Sequence, residues 1–276
     1  MIAAVVINYR SEERTVRFVR EELSKISSPC AVVVVDNGST PESAARLREG
    51  LPEGCRILEM KENAGFARGN NAGAALFPDA DFYLFANNDT VFTDPDVADA
   101  LAERLAALPD YGIIGPRVVG PDGALQSPYP YRSFWHRHIA IYWSNLFLSR
   151  EKHRAKFETV PESPEGPCYQ VSGCFFMARG EDFRACGGMD PETFLYAEEG
   201  ILAERMKRIG KGEWYCPAVS ILHEHEATTA KYFDSLERRQ MAFRSDCYYY
   251  RTYMGTPRWQ IALAKFTYFL KRLFRR

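Results

Sequence analysis

The feature that most constrains this chain is a repeat of short apolar runs that each stop at Asn or Asp. Ile2–Ile7 stops at Asn8, and Ala31–Val35, four of whose five residues are valine, stops at Asp36-Asn37. Arg56–Met60 is followed closely by Asn63, and Asp81–Ala86 by Asn87-Asn88-Asp89. Between the runs lie Glu12–Ile26, Pro41–Arg48 and Gly65–Phe77, which carry apolar or small residues at helical spacing. Short β-branched runs alternating with amphipathic segments predict an α/β protein with a mostly parallel sheet covered by helices on both faces. Such sheets bind ligands beyond the carboxyl ends of their strands. The four polar clusters therefore converge on one edge.

The rest of the chain reads as more mixed. Gly112–Val119, Tyr169–Ala178 and Trp214–Ile221 predict strands, and Glu198–Ile209 predicts a helix. From Lys231 the pattern is helical, with a break at Gly255-Thr256-Pro257. No linker divides residues 1–250, so the expected organisation is one domain over 1–250 and a basic amphipathic helix over 251–276. Tyr129–Ser149 is aromatic and basic; it shapes an acceptor side, or it simply packs Phe134, Trp135, Trp143 and Phe147.

Composition narrows the class. Hydrophobic residues at 46% and charged residues at 26% exclude a disordered chain. A net charge of -1 excludes a generally basic nucleic-acid binder, so no nucleic-acid partner is expected. The balance is uneven: residues 247–276 contain no acid but hold Arg251, Arg258, Lys265, Lys271, Arg272, Arg275 and Arg276. On a helical wheel Trp259, Leu263, Phe266, Leu270, Leu273 and Phe274 share a ~100° arc, with Lys265, Lys271, Arg272 and Arg275 on the other side. That pattern predicts a peripheral contact with an anionic membrane surface; docking onto the protein's own body and a dimer contact are the alternatives. The seven cysteines form no C-x-x-C pair, and no leader or spanning run is read. A cytoplasmic protein with reduced, mostly buried thiols, peripheral on the inner face of the membrane, is the expectation.

Several motifs bear on chemistry. Asn87-Asn88-Asp89 is a D-x-D-like element at a strand end, suited to a hard divalent cation and a diphosphate, although Asn-Asp clusters are also turn formers. Asp36-Asn37-Gly38-Ser39 is a turn and helix cap, or an acceptor for a base or ribose. Gly65-Phe66-Ala67-Arg68-Gly69-Asn70-Asn71-Ala72-Gly73 opens a helix whose N–H groups and Arg68 suit phosphates, without a G-x-G-x-x-G or P-loop pattern. Glu198-Glu199 at a helix start either complements the helix dipole or supplies a general base. His223-Glu224-His225-Glu226 lacks H-E-x-x-H spacing; histidines two apart on a strand point oppositely, so at most one serves a given metal.

Taken as a set, these residues with Val171–Arg179 and Gly187-Gly188-Met189-Asp190 resemble the inverting, nucleotide-sugar-dependent glycosyltransferases of family 2, in the rhamnosyltransferase-type branch. The resemblance spans roughly residues 2 to 230 and implies a GT-A fold. It implies a nucleoside diphosphate-sugar donor (dTDP-rhamnose or a UDP-hexose), a glycan or lipid-linked glycan acceptor, and a divalent cation, Mn2+ or Mg2+. Carried over by position, Asn8, Asp36 and Asn37 hold the nucleoside, while Asn63, Arg68, Asn70, Asn88 and Glu198 lie near the donor. Asp89 takes the metal, with Asn87 where the family often has an acid and His223 as a second contact. Glu199 occupies the general-base position, usually Asp. Ile201 departs from the pattern, standing where a second Asp is common. The runners-up are a sugar-1-phosphate nucleotidyltransferase, whose Gly-rich basic loop Ile7–Ser11 does not supply, and an inactive homologue serving as a binding subunit, which Ile201 alone supports.

Overall fold

The structure, a computed structural model, describes residues 1–141, 149, 152, 160–224 and 234–274. Strands β1 (Ile2–Asn8), β2 (Cys30–Asn37), β3 (Arg56–Met60) and β4 (Phe82–Asn87) lie in the order β3-β2-β1-β4, all parallel. The register sets Asn8 beside Asp36 and Ile7 beside Asn87, so the polar strand ends meet on one edge. Helices α1 (Glu12–Glu21) and α3 (Phe66–Ala74) fall within the predicted segments, and α2 (Pro41–Gly50) runs two residues past the predicted end at Arg48. Thr40 caps α2 by accepting from the Ser43 N–H, with Pro41 in the first turn, where its missing N–H costs nothing.

The valine run explains the layering. Val34 packs with Phe18, Leu47, Leu101 and Leu105 on one face, while Val33 and Val35 pack with Ala67, Ala74, Phe85 and Phe176 on the other. Side chains alternate across a strand, and each fully buried valine contributes roughly 1.5–3 kcal/mol. Helix α3 lies close on the sheet because Gly73 has no side chain; a Cβ there would sit 2.5 Å from Val5 Cγ1.

The second half of the sheet is mixed. After β5 (Thr90–Phe92) and α4 (Val97–Ala106) come β6 (Tyr111–Val119), β7 (Gly166–Cys168), β8 (Phe175–Arg179), α5 (Gly180–Ala185), α6 (Glu198–Arg208) and β9 (Gly212–His223). Strand β8 is antiparallel to both β4 and β6, β9 is parallel to β6, and β5 and β7 run antiparallel to β9. The expected strand Tyr169–Ala178 therefore forms only from Phe175 onward. Its first part leaves the ladder because side chains take its N–H groups: Val171 donates to Glu213 Oε2 at 2.8 Å and Ser172 to Ser127 Oγ at 3.2 Å.

Helices α7 (Ser235–Thr252) and α8 (Arg258–Phe274) follow, broken around Gly255 as expected. They close a third apolar cluster of Phe134, Ile201, Tyr249, Tyr250, Ile261 and Ala264. The cysteines are free thiols; Cys174 and Cys216 are buried and the other five half-buried, fewer buried than expected. Among the described residues no helix is long and apolar enough to cross a membrane.

Candidate active site

The ends of β1, β2 and β4 are tied together by short polar side chains. Asn8 is fully buried and donates from Nδ2 to Asp36 Oδ1 at 2.9 Å, while its Oδ1 accepts from Thr15 Oγ1 at 2.8 Å. Asn88 donates to that same Thr15 hydroxyl at 2.7 Å and to Ser11 Oγ at 2.9 Å. A continuous chain thus runs from the D-x-D-like turn through Thr15 and Asn8 to Asp36. Asn8 and Asn88, both expected near the donor, place their amides on this chain.

A second clasp shapes the loop before α3. Asn37 Nδ2 donates to Asn63 Oδ1 and to the Gly65 carbonyl, both at 3.1 Å, and Asn37 Oδ1 accepts from Ala64 N–H at 3.0 Å. Gly65 has φ 86°, and its missing side chain admits the Phe194 carbonyl, which accepts from Phe66 N–H at 2.9 Å. The Gly187–Phe194 loop therefore reaches the start of α3 and takes its first N–H. Arg68 follows suit: its Nε donates to the Pro191 carbonyl at 2.9 Å. Asn71, which sequence reasoning passed over, holds the same loop through Met189, donating to its carbonyl at 2.7 Å and accepting from its N–H at 2.9 Å. Asn70 is buried with its Nδ2 unpartnered, a donor aimed at no protein acceptor.

Next to this edge opens a cavity of about 460 Å³ bordered by Asn87, His223, Glu198 and Glu199. Tyr196 and Ala197 enter α6 with φ 75° and 68°, a left-handed turn unusual for side-chain-bearing residues. That turn delivers both carboxylates of the first helical turn to the cavity wall. Burial pushes Glu198 up to about 8, and the charge of Glu199 adds to the rise. Burial also raises Glu199, but Arg137 and the Gly173 N–H work in the opposite direction. Both carboxyls are thus held above their ordinary range, and because they are close neighbours their titrations belong to the pair. Arg137 is itself fixed by the buried Asp246 of α7, accepting from its Nε at 2.8 Å.

Asp89 and His223 are brought together by the pairing of β5 with β9, which sets Thr90 beside His223. His223 Nε2 lies 3.4 Å from Asp89 Oδ1, and His223 Nδ1 pairs with Gln126 Oε1 at 2.7 Å. Burial opposes the charge of Asp89, but His223 and Arg14 outweigh it and hold the carboxyl below its ordinary range. Among the described residues no three His, Cys, Asp or Glu side chains gather as a metal cluster. The pair nevertheless fits half of a divalent site. Asp89 Oδ1 is buried without a hydrogen bond, and the Gln126 contact orients the imidazole, as outer partners of metal-binding histidines do. A hard cation bound by one or two protein groups completes its shell with substrate phosphates and water. His225 and Glu226 lie outside the described residues, as do Trp143 and Phe147.

The aromatic, basic segment divides between both of its expected roles: Phe134 is core, whereas Tyr129, Tyr131, Arg132 and Arg137 line the cavity. Tyr169, Tyr249 and Tyr250 complete that wall, and sequence spacing gave no sign of them. Ile201 points elsewhere, fully buried in the cluster with Tyr249 and Ile261. Its departure from the family pattern is accounted for by packing, and the inactive-homologue reading loses its only support.

The sequence model described as "Glycosyl transferase family 2" matches residues 3–178. The chain belongs to that family. This glycosyltransferase is 25% identical over 245 residues to the N-acetylglucosaminyl-diphospho-decaprenol L-rhamnosyltransferase of Mycobacterium tuberculosis, in strains CDC 1551 / Oshkosh and ATCC 25618 / H37Rv, covering 84% of this chain and 78% of the relative. Its fold matches GalNAc-T7, solved with UDP, GalNAc and Mn2+, at TM-score 0.62 and 11% identity over 91% of this chain and 47% of that one. The chain thus spans about half the length of that structure. It also matches the mannosyltransferase PcManGT from Pyrobaculum calidifontis, solved with GDP-Man and Mn2+, at TM-score 0.55 and 14% identity over 96% of this chain and 72% of that one. The glycosyltransferase has the GT-A fold. Family membership leaves the nucleotidyltransferase reading without support. Glu199 and His223 both lie beyond the segment that the family model matches.

Proposed function

We propose that this glycosyltransferase inverts configuration as it moves a sugar from a nucleoside diphosphate donor to a hydroxyl of a lipid-linked glycan at a membrane surface. The observation that carries this reading is the placement of Glu199, half-buried on the first turn of α6 in a cavity shared with Asn87 and His223. Glu199, acting as a carboxylate, takes the proton of the acceptor hydroxyl as its oxygen bonds to the anomeric carbon. The bond from that carbon to the diphosphate oxygen breaks on the opposite face, and the nucleoside diphosphate leaves. Asp36 and Asn37, held by Asn8 and Asn63, present the nucleoside side, and Asn70 offers its unpartnered amide to the donor.

Asp89, His223 and Asn87 would hold a divalent cation, Mn2+ or Mg2+, whose chemistry is to neutralise charge on the departing diphosphate. The Mn2+ named for both structural neighbours supports that assignment. The name of the mycobacterial relative favours a rhamnosyl donor and a diphospho-lipid acceptor, with UDP-hexoses as the competing donors. Arg132 and Arg137 on the cavity wall suit an acceptor that carries phosphate.

The test is sugar transfer from dTDP-rhamnose and from UDP-hexoses to a diphospholipid-linked sugar, with Mn2+, with Mg2+ and with chelator. The expected product has inverted anomeric configuration and vanishes with chelator. Asp89→Ala is expected to abolish metal-dependent turnover while its circular dichroism stays native. Retention of configuration, or undiminished turnover by Asp89→Ala, overturns the reading.

A further inference from the structure

We infer that the outward face of α8 is a docking surface for an anionic lipid bilayer, an inference that rests on the lipid-linked acceptor proposed above. The helix has two apolar faces with different fates. Ile261 and Ala264 are 7% and 1% exposed against Phe134, Ile201, Tyr249 and Tyr250, and Tyr268 stacks on Phe243 with ring centroids 4.9 Å apart. Trp259, Leu263 and Phe266 are 60%, 38% and 56% exposed. At 100° per residue these three cluster about a direction nearly opposite Ile261 and Ala264. The body of the protein has therefore already taken the face it uses. Self-docking cannot account for the other.

Charge selects the occupant. Residues 247–276 hold seven Lys and Arg and no acid, and Arg258 and Lys265 stand exposed on α8 beside the apolar stripe. A second copy of this chain would bring two such basic segments together, whereas anionic headgroups complement them. Trp and Phe on one side with basic residues flanking them is the pattern of a helix lying in the interface plane, with its apolar face among the acyl chains. The helix is not apolar enough to cross a bilayer. Trp135 adds to the surface: it is 47% exposed and precedes the His136–Ala140 turn, which packs against α8.

The docking face is also close to the chemistry. The inner side of α8 rests on Ile201, two residues past Glu199 on α6, and on Tyr249 and Tyr250, which line the cavity. A bilayer against the outer side would lie one helix thickness from the acceptor wall. That separation suits an acceptor whose lipid stays in the membrane while its sugar reaches the base.

The experiment compares the full chain with a Trp259→Gln/Leu263→Gln/Phe266→Gln variant in vesicle co-sedimentation. Vesicles are phosphatidylcholine alone or equimolar phosphatidylcholine and phosphatidylglycerol. The wild type is expected to bind the mixed vesicles, to release them as salt rises, and to bind phosphatidylcholine alone weakly. The variant is expected to lose binding by roughly tenfold or more while its melting temperature and its turnover of donor with a water-soluble acceptor stay unchanged. Equal sedimentation of both forms, or no binding by the wild type, overturns the inference. So does a wild-type dimer in analytical ultracentrifugation that the variant abolishes without any vesicle binding, since it assigns the face to a second copy. Vesicle binding that depends on the three residues, in an enzyme that transfers only to soluble acceptors, would uphold the docking face and refute the lipid-linked acceptor instead.

Discussion

The polar strand-end edge, proposed to take the donor, and the cavity proposed for the acceptor sit side by side and are built on opposite principles. At the edge Asn8, Asp36, Asn37, Asn63 and Asn88 bind one another and their neighbours, and the buried Asn70 keeps an unpartnered amide. Buried polar groups are stable when paired, so this edge is complete without a ligand. In the cavity Glu198 Oε1 is buried without a partner, burial holds two neighbouring carboxyls above their ordinary range, and Tyr196 and Ala197 hold left-handed backbone at a cost of about 1–3 kcal/mol each. Such tension persists only where the surroundings enforce it, here through Ser245, whose hydroxyl donates to the Leu195 carbonyl at 2.7 Å, and through the packing of α7. The edge is a rigid mould; the cavity is a loaded site.

The sharpest way to break this contrast is to remove basicity from the cavity without changing its shape. Glu199→Gln is expected to lower kcat by about 10²–10⁴-fold, the usual worth of a general base, with donor affinity little changed. Glu198→Gln, beside the proposed base and not at it, should cost far less. Steady-state transfer rates and donor titrations for both variants decide it; a larger loss in Glu198→Gln moves the base by one residue.

Next in size is Ile201→Asp, which restores the acid common in the family. The side chain is fully buried among Tyr249, Tyr250 and Ile261. Loss of its packing together with burial of an unpaired polar group should destabilise the fold by roughly 3–5 kcal/mol. Urea unfolding measures it. A loss below about 1 kcal/mol would show that water reaches this position and that α8 does not seal it.

The same contrast explains what the sequence disclosed. Asn8, Asp36, Asn63 and Asn87–Asp89 were legible because each lies a residue or so past an apolar run, and strand ends of a parallel sheet share an edge. Their individual bonds were not legible: nothing in the spacing shows that Asn8 and Asn88 brace Thr15 and Asp36. The cavity wall was almost silent. Arg137 depends on Asp246, 109 residues away, and Tyr169 reaches Glu204 and Tyr249 across separate elements. No local period marks such partners. The strand predicted over Tyr169–Ala178 failed for a related reason: the distant Glu213 competes for the backbone N–H of Val171.

On the donor edge a smaller effect is expected. Asn8→Ala strips Asp36 of one donor and Thr15 of one acceptor, all buried, which should cost about 1–3 kcal/mol. Donor affinity should fall with it, while kcat at saturating donor changes little, because the chemistry lies in the cavity. A pure loss of kcat with unchanged affinity would place Asn8 in the reaction rather than in the mould.

The smallest effect distinguishes the two regions by pH. Glu213 on β9 is 4% exposed and accepts from Val171 N–H at 2.8 Å. Burial, reinforced by the charge of Glu199, pushes its carboxyl up to about 8. In the unfolded chain the same carboxyl loses its proton at its ordinary value of about 4.3. Between those values the unfolded state has released a proton that the folded state still holds, so stability falls as pH rises. The contribution is fully present below the lower value and lost as pH climbs through about 8, with Glu198 acting in the same direction. Glu213→Gln can still accept from Val171 but cannot ionise. Its melting temperature should therefore decline less steeply than that of the wild type between about pH 5 and pH 8. Asn8→Ala, on the edge without such a carboxyl, should keep the wild-type slope at a lower melting temperature throughout. Thermal melts of the three proteins across that range give the comparison. If Glu213→Gln follows the wild-type slope, Glu213 is already ionised in the folded protein and its surroundings behind the cavity are wetter than its burial indicates.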